Sequence, residues 1–487
     1  MVAQKNEDKP KGLLNAPLSD DVKTLDPALA YDEISLTVVP LGYETLYQYN
    51  YFKRPITIEP LLANGLPEIS KNKLEYTIKI KPGIYFHEEP TIGNRRELKS
   101  KDFIYAWKRL GLPSLSSPGT WIFDNKIVGF DNFRKSIMTL EDNKSALMKS
   151  VEGFEIIDDY TLKIKLLKPY PQLLHVLSMS FTAPIPGEIA EKYGHDYFIN
   201  NMVGTGPFKL QQFIKGSKVT LVKNENYRDE YYPTPTANLA DDKDVKSLVG
   251  KKLPLLDEIQ FHIFKESQPQ WLSFLSGKID ISGVPKDNFD QAIIGGQDLS
   301  DELKNKNIKL FKYTPPIQFW FEYNMKDPIV GKNKLLRMAI SHALNFDQFN
   351  KTFLNGRGEA TGSLLTSGID GYGTYDENIV SFDIEKSKEL LKQAGFPNGK
   401  GLPRITYDIR GSGTSSRQMA EFLKNSLDKI GVQLNIVANS FLGILKRPEM
   451  EICSFLWVVG RPTIQMRKIF CCSSVQITIH LVEFSLL

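Results

Sequence analysis

The chain has 487 residues, 41% hydrophobic and 24% charged, which is too long for one ordinary core and too apolar for disorder, so two or three domains are expected. Its 61 basic and 57 acidic residues leave a formal charge of +4. With no long basic block, a nucleic-acid or membrane surface is not indicated. The cysteines, Cys453, Cys471 and Cys472, all lie near the end, so a disulfide framework or thiolate metal site is excluded upstream of them.

The start, MVAQKNEDKPKGLLNAPLSDD, has no apolar core of the kind a signal peptide needs and reads as a flexible leader to about Leu14. No apolar run is long enough to span a bilayer. LEYTIKIK alternates, with Tyr76, Ile78 and Ile80 on one face, and predicts a half-buried strand ended by Pro82-Gly83. SKDFIYAWKRL predicts a helix with Ser100 as N-cap and Phe103, Ala106, Trp107 and Leu110 as its apolar stripe. A strand pair turning at Asp158-Asp159 follows, then another turning at Gly216-Ser217. Thr234 to Ser247 reads as an exposed loop.

LLDEIQFHIF is a further alternating strand, and QPQWLSFLSGKID a helix ended near Gly277. IQFWFEYNMKDP is a strand too aromatic to leave both faces in water. KLLRMAISHALNFDQF predicts a helix with Leu336, Ala339, Ile340 and Ala343 facing inward. DIEKSKELLKQAGF is a helix capped by Asp383 and closed by Gly395, with Leu391 and Ala394 facing in. Short strands alternating with helices argue for α/β architecture.

Catalytic constellations are scarce. The histidines, His87, His175, His195, His262, His342 and His480, occur singly, none in an HExxH pair, and are expected to be structural. His87-Glu88-Glu89 reads as solvated surface. GTGPF lacks the later glycine of a dinucleotide loop, and Pro207 removes an amide that a phosphate needs, so it reads as a strand entry. GSGTSS has no following lysine in the P-loop position, and no GxSxG elbow occurs. Neither a metal nor a cofactor is implied.

In this order, TLDPALAYDE, YETLYQYN, YTIKIKPGIYFHEEP, LKSKDFIYAWKRL, DDYTLKIKL, MVGTGPFKL, LVKNENY, FEYNMKDP with LLRMAISHALNFDQF, and FDIEKSKELLKQAGF resemble extracellular solute-binding proteins of family 5. These are the receptors that deliver oligopeptides, dipeptides or nickel to ABC importers. The resemblance runs from about Asn15 to Trp457.

It implies a two-lobed α/β clamshell with an additional inserted domain. Lobe I would comprise 15–47 plus 169–264, the inserted domain 48–168, and an incomplete lobe II 271–457, with residues 1–14 as leader and 458–487 as an aberrant tail. Ligand would lie in the cleft, closed by a hinge near Phe264 to Gln270. The implied partners are an oligopeptide and ABC permease subunits. A monomer is expected, outside the cytoplasmic membrane, periplasmic or lipid-anchored. Cleft candidates are Tyr31 and Asp32, Trp320 and Glu322 on one face of the aromatic strand, and Trp457. The alternatives are another ligand (nickel chelate, haem, an oligosaccharide), a pheromone receptor or chaperone-like binder and, further off, an α/β hydrolase.

One departure stands out. Family members carry a motif like GW-x-ADYPD-x-x-NFL after the strand matching EICSFLW, and its aspartate commonly receives the peptide ammonium. Here Arg461 to Ile464 do not match. Combining the last base of each codon with the first two of the next permits A-D-Y-P-D-A-E-N-F from Arg461 to Phe470. The expectation is a one-nucleotide frameshift near Val458 to Gly460 and premature termination, leaving lobe II incomplete and ligand binding impaired.

Overall fold

The computed structural model describes residues 12–53, 56–93, 95–140, 142–235, 243–313, 318–363, 372–373, 380–410, 413–439, 455–460, 478–481 and 483–486. Two compact units are distinguished, the N-terminal one ending at Phe264 and the C-terminal one beginning at Lys265. Mixed sheets and helices make both units α/β. Cys453, Cys471 and Cys472 lie outside the described residues, as do parts of the Thr234–Ser247 stretch and of GSGTSS.

In the N-terminal unit, β1 (Leu13–Leu18) starts inside the segment read as leader. It is held because it pairs in parallel with β10 (Glu258–Ile263), which pairs with β9 (Lys218–Lys223), and that with β8 (Phe208–Ile214). The turn joining β8 and β9 holds Gly216 at φ +76°, a conformation that costs glycine nothing. After β1 comes α1 (Glu33–Gly42), then the short pair β2 (Tyr47–Tyr49) and β3 (Ile58–Pro60).

A second sheet has the order β4 (Glu68–Ile69), β5 (Glu75–Lys79), β7 (Thr161–Lys165), β6 (Phe154–Asp158). The alternation is as expected, with Tyr76, Ile78, Leu162 and Ile164 buried and the intervening lysines out. Helix α2 (Ser100–Arg109) covers this sheet. Its Trp107 is fully buried among Phe103, Phe123 and Phe154, at centroid distances of 5.2–5.9 Å. The indole Nε1 donates to Thr182 O at 3.0 Å, tying this region to the segment that follows it. Ser100 is not the cap. It is the first helical residue and donates to Asp158 O, while Asp102 accepts the Lys99 amide at 2.8 Å.

Helix α3 (Phe130–Ile137) follows in the N-terminal unit; in the C-terminal unit, α4 (Ser267–Leu275) comes first. The main sheet comprises β11 (Gln318–Tyr323), β12 (Gly358–Thr361), β13 (Ile405–Arg410), β14 (Leu434–Asn439), β15 (Phe455–Gly460) and β16 (Thr478–Leu481). Its order is β12-β16-β11-β15-β13-β14. β15 is thus internal, antiparallel to β11 and parallel to β13.

The stretch expected as one helix is two, α5 (Lys334–His342) and α6 (Phe346–Leu354), because Asn345 leaves helical geometry and caps the second through the Gln348 amide. Helix α7 (Ile384–Gln393) is capped by Asp383 as expected, and α8 (Thr414–Asp428) follows. Leu336, Ala339, Ile340, Ala343, Leu391, Leu423 and Leu427 pack with Phe321, Tyr323, Ile405, Tyr407 and Ile409 into one core.

Candidate functional site

Tyr31 and Asp32 enter α1. Asp32 takes β-region dihedrals and accepts the Ser35 amide on Oδ1 at 2.9 Å, as a short acidic side chain does at an N-cap. One carboxylate oxygen is therefore engaged in starting a helix. Tyr31 is half-buried and stacks on Phe181 at 6.2 Å and 23°.

A few residues earlier in the chain lies a buried ionic group. The 24–30 loop turns on Asp26, which accepts the Ala28 amide. Asp26 also receives the guanidinium of Arg109, from the end of α2, at 2.6 and 3.2 Å. Neither side chain is more than 1% exposed. Arg109 Nε donates to His195 Nδ1 at 3.0 Å, and its guanidinium lies over Phe198. Burial, reinforced by the Arg109 charge, pushes His195 down to about 4, so its imidazole stays neutral and free to accept.

A second group gathers segments far apart in sequence. Glu44, 5% exposed, accepts both arms of Arg228 at 2.7 and 2.8 Å, Tyr227 OH at 3.0 Å and Thr205 Oγ1 at 3.0 Å. YETLYQYN, MVGTGPFKL and LVKNENYRDE thus meet at one carboxylate. Glu230 adds a second contact to Arg228, and the two carboxylates hold its guanidinium above the usual range against the cost of burial.

The GTGPF glycines have their own reason. A Cβ on Gly204 or Gly206 collides with the backbone at Gly42, where Gly206 N donates to Gly42 O at 2.9 Å. His87 joins the same knot. Only 2% exposed, it is not solvated surface, and Glu89 is buried too. Its Nδ1 accepts the Gly204 amide at 3.3 Å, which puts the proton on Nε2, donating to Gly206 O at 3.1 Å. Burial lowers its pKa to about 4.

Three further histidines are also engaged, while the side chain of His480 lies outside the described residues. His175 meets Tyr49 OH, His262 meets Asn15, and His342 meets Ser381 O. Among the described residues no group of three or more His, Cys, Asp or Glu side chains is placed to hold a metal ion.

In the C-terminal unit Trp320 is 4% exposed and points to the face of β11 opposite Phe321 and Tyr323, which fill the helix-covered core. The side chains of Glu322 and Trp457 lie outside the described residues. In register Trp457 stands opposite Phe321, while Trp320 and Glu322 face Val458 and Leu456. The structure therefore leaves Tyr31 and Asp32 together at the start of α1, and Trp320, Glu322 and Trp457 on the paired strands β11 and β15. The buried Asp26–Arg109–His195 and Glu44–Arg228 groups escaped the sequence reading, because nothing local signals a pairing 83 or 184 positions long.

No described helix is long and apolar enough to cross a membrane. The family model for bacterial extracellular solute-binding proteins, family 5 Middle, matches residues 57–463. The Escherichia coli (strain K12) dipeptide-binding protein is 24% identical over 385 residues, covering 78% of this chain and 63% of that protein. Heme-binding protein A of Haemophilus influenzae is 25% identical over 403 residues, covering 81% and 65%. This chain therefore matches less than two thirds of the length of either relative.

Among solved structures, the periplasmic binding protein DppA from Helicobacter pylori in complex with the peptide STSA superposes with a TM-score of 0.72 at 25% identity, over 93% of this chain and 78% of that one. With the family match running through both units, the chain belongs to the bacterial extracellular solute-binding proteins of family 5, a class of binding proteins and not of enzymes.

Proposed function

We propose that this chain is the substrate-binding component of an ABC importer, capturing oligopeptides outside the cytoplasmic membrane and presenting them to permease subunits. It performs no covalent chemistry. The likeness to the peptide-bound Helicobacter pylori protein across 93% of the chain carries this reading. Lobe I is assigned to 15–47 and 169–264, the inserted domain to 48–168, and lobe II to 271–457. Tyr31 and Trp320 are the ligand-facing aromatics, with Glu322 on Trp320's strand and Trp457 on the strand paired with it. Asp32 acts mainly by fixing α1. The protein works as a monomer.

The residues after Gly460 are read out of frame. The family match, which stops at residue 463, supports that reading, and sequencing the DNA across Val458 to Arg461 tests it. An undisturbed frame there refutes it.

The functional test is calorimetric titration of two products, the chain as given and one restored to the shifted frame, with a panel of di- to pentapeptides including Ser-Thr-Ser-Ala. Saturable peptide binding by the restored product, weak or absent in the chain as given, is expected. The relative named for heme supports one second reading. Tight haem binding with no peptide binding favours it, and turnover of any peptide overturns both.

A further inference from the structure

We propose that the C-terminal unit carries a small-molecule site of its own at the start of α5, an open pocket of about 450 Å³ that takes amphipathic carboxylates. The inference rests on this unit alone and does not depend on peptide capture. The volume falls within the range of ligand pockets, roughly 300–1,000 Å³.

One wall is apolar. Ile329, Leu335 and Phe396 line the pocket and are backed by the main core of the unit, so the wall is fixed and not a loose surface patch. The rim is cationic. Lys332 and Lys334 are exposed, and among the described residues neither has a carboxylate within ion-pair distance. The acidic side chain of the preceding turn is already engaged, Asp327 Oδ1 accepting the Ile329 and Val330 amides at 2.8 and 2.7 Å.

The polar group at the helix start is spent as well. Asn333 accepts the Leu336 amide and donates to Ala394 O. What remains is a hydrophobic wall beside two ammonium groups with no counter-ion among the described residues. A molecule with an apolar body and an anionic head matches both halves, and burying the body next to the charges strengthens their hold on the head.

The test is titration of the full chain, followed by calorimetry, with sodium octanoate, octan-1-ol and sodium acetate. Octanoate is expected to saturate and to bind at least tenfold more tightly than the other two, with affinity falling as salt is raised. The double variant K332E/K334E should lose tenfold or more, about 1.4 kcal/mol, with an unchanged melting temperature because both side chains are exposed. K332R/K334R should retain binding, and Phe396→Leu should weaken octanoate. Failure of octanoate to saturate, equal binding of octan-1-ol, or undiminished binding by a folded K332E/K334E protein overturns the proposal. These outcomes are read without any peptide, so they stand apart from the importer reading.

Discussion

Arg109 and Asp26, 83 positions apart, are joined by an ion pair of 2.6 Å from which solvent is excluded. Such a pair contributes little net stability relative to an apolar pair of the same shape, yet removing one partner strands a charge in the interior. Arg109→Met is therefore expected to cost about 3–5 kcal/mol in urea unfolding of the N-terminal unit, whereas D26L/R109M should recover most of the loss. Equal stability of the single variant and wild type would falsify this.

His87 and His195 both have folded pKa values of about 4 against an ordinary 6.5. The neutral form is the one the fold accepts, so their contribution is complete above about pH 6.5 and is lost as pH falls towards 4. For the fully enclosed His87 the shift corresponds to about 3 kcal/mol. Urea midpoints measured between pH 7 and 4 should decline, and His87→Gln should flatten the slope. A flat wild-type profile contradicts the account.

Gly204 and Gly206 leave no room for a methyl group against Gly42. Gly206→Ala should lower stability by about 1–3 kcal/mol through overpacking, read as a reduced melting temperature. Gly83, which has open space around it but φ +74°, provides a comparison in which only conformational strain operates.

Trp107 links α2 to its sheet and, through Thr182, to the segment beyond it. Trp107→Ala removes a fully buried indole and should cost about 3–5 kcal/mol. Limited proteolysis should then cut first within residues 48–168. Resistance there equal to wild type would remove Trp107 from this role.

Tyr31 and Asp32 are adjacent, yet their contacts separate their effects. Asp32→Ala removes the α1 cap and should cost about 0.5–2 kcal/mol, with peptide affinity little changed. Tyr31→Ala should weaken peptide binding by the frame-restored protein while stability stays close to wild type. The reverse pattern would reassign both residues.

Local signals were legible in the sequence. The alternation of Tyr76 and Ile78, the stripe from Leu336 to Ala343 and the Asp383 cap each depend on neighbours within a few positions, and all are realised. Asp32 was read only as a cleft candidate, although a short acidic residue before a helical run is also the local mark of a cap.

The buried charges were not. His87 sits beside two glutamates, which mark a wet surface by composition, and only the return of the chain at Gly204 encloses it. Glu44, Thr205 and Arg228 were each present in a motif, but their meeting is tertiary and has no local pattern. Trp320 could be placed on a strand face from sequence. What that face meets depends on strands arriving more than a hundred residues later.

The parallel pairing of Leu13–Leu18 with Glu258–Ile263 makes β1 wait for a strand made some 240 residues afterwards. A nascent chain leaving the ribosome therefore carries an unmatched strand through most of its synthesis. The N-terminal unit closes only once residue 263 has emerged, which delays its compaction and lengthens the interval in which the polypeptide remains threadable.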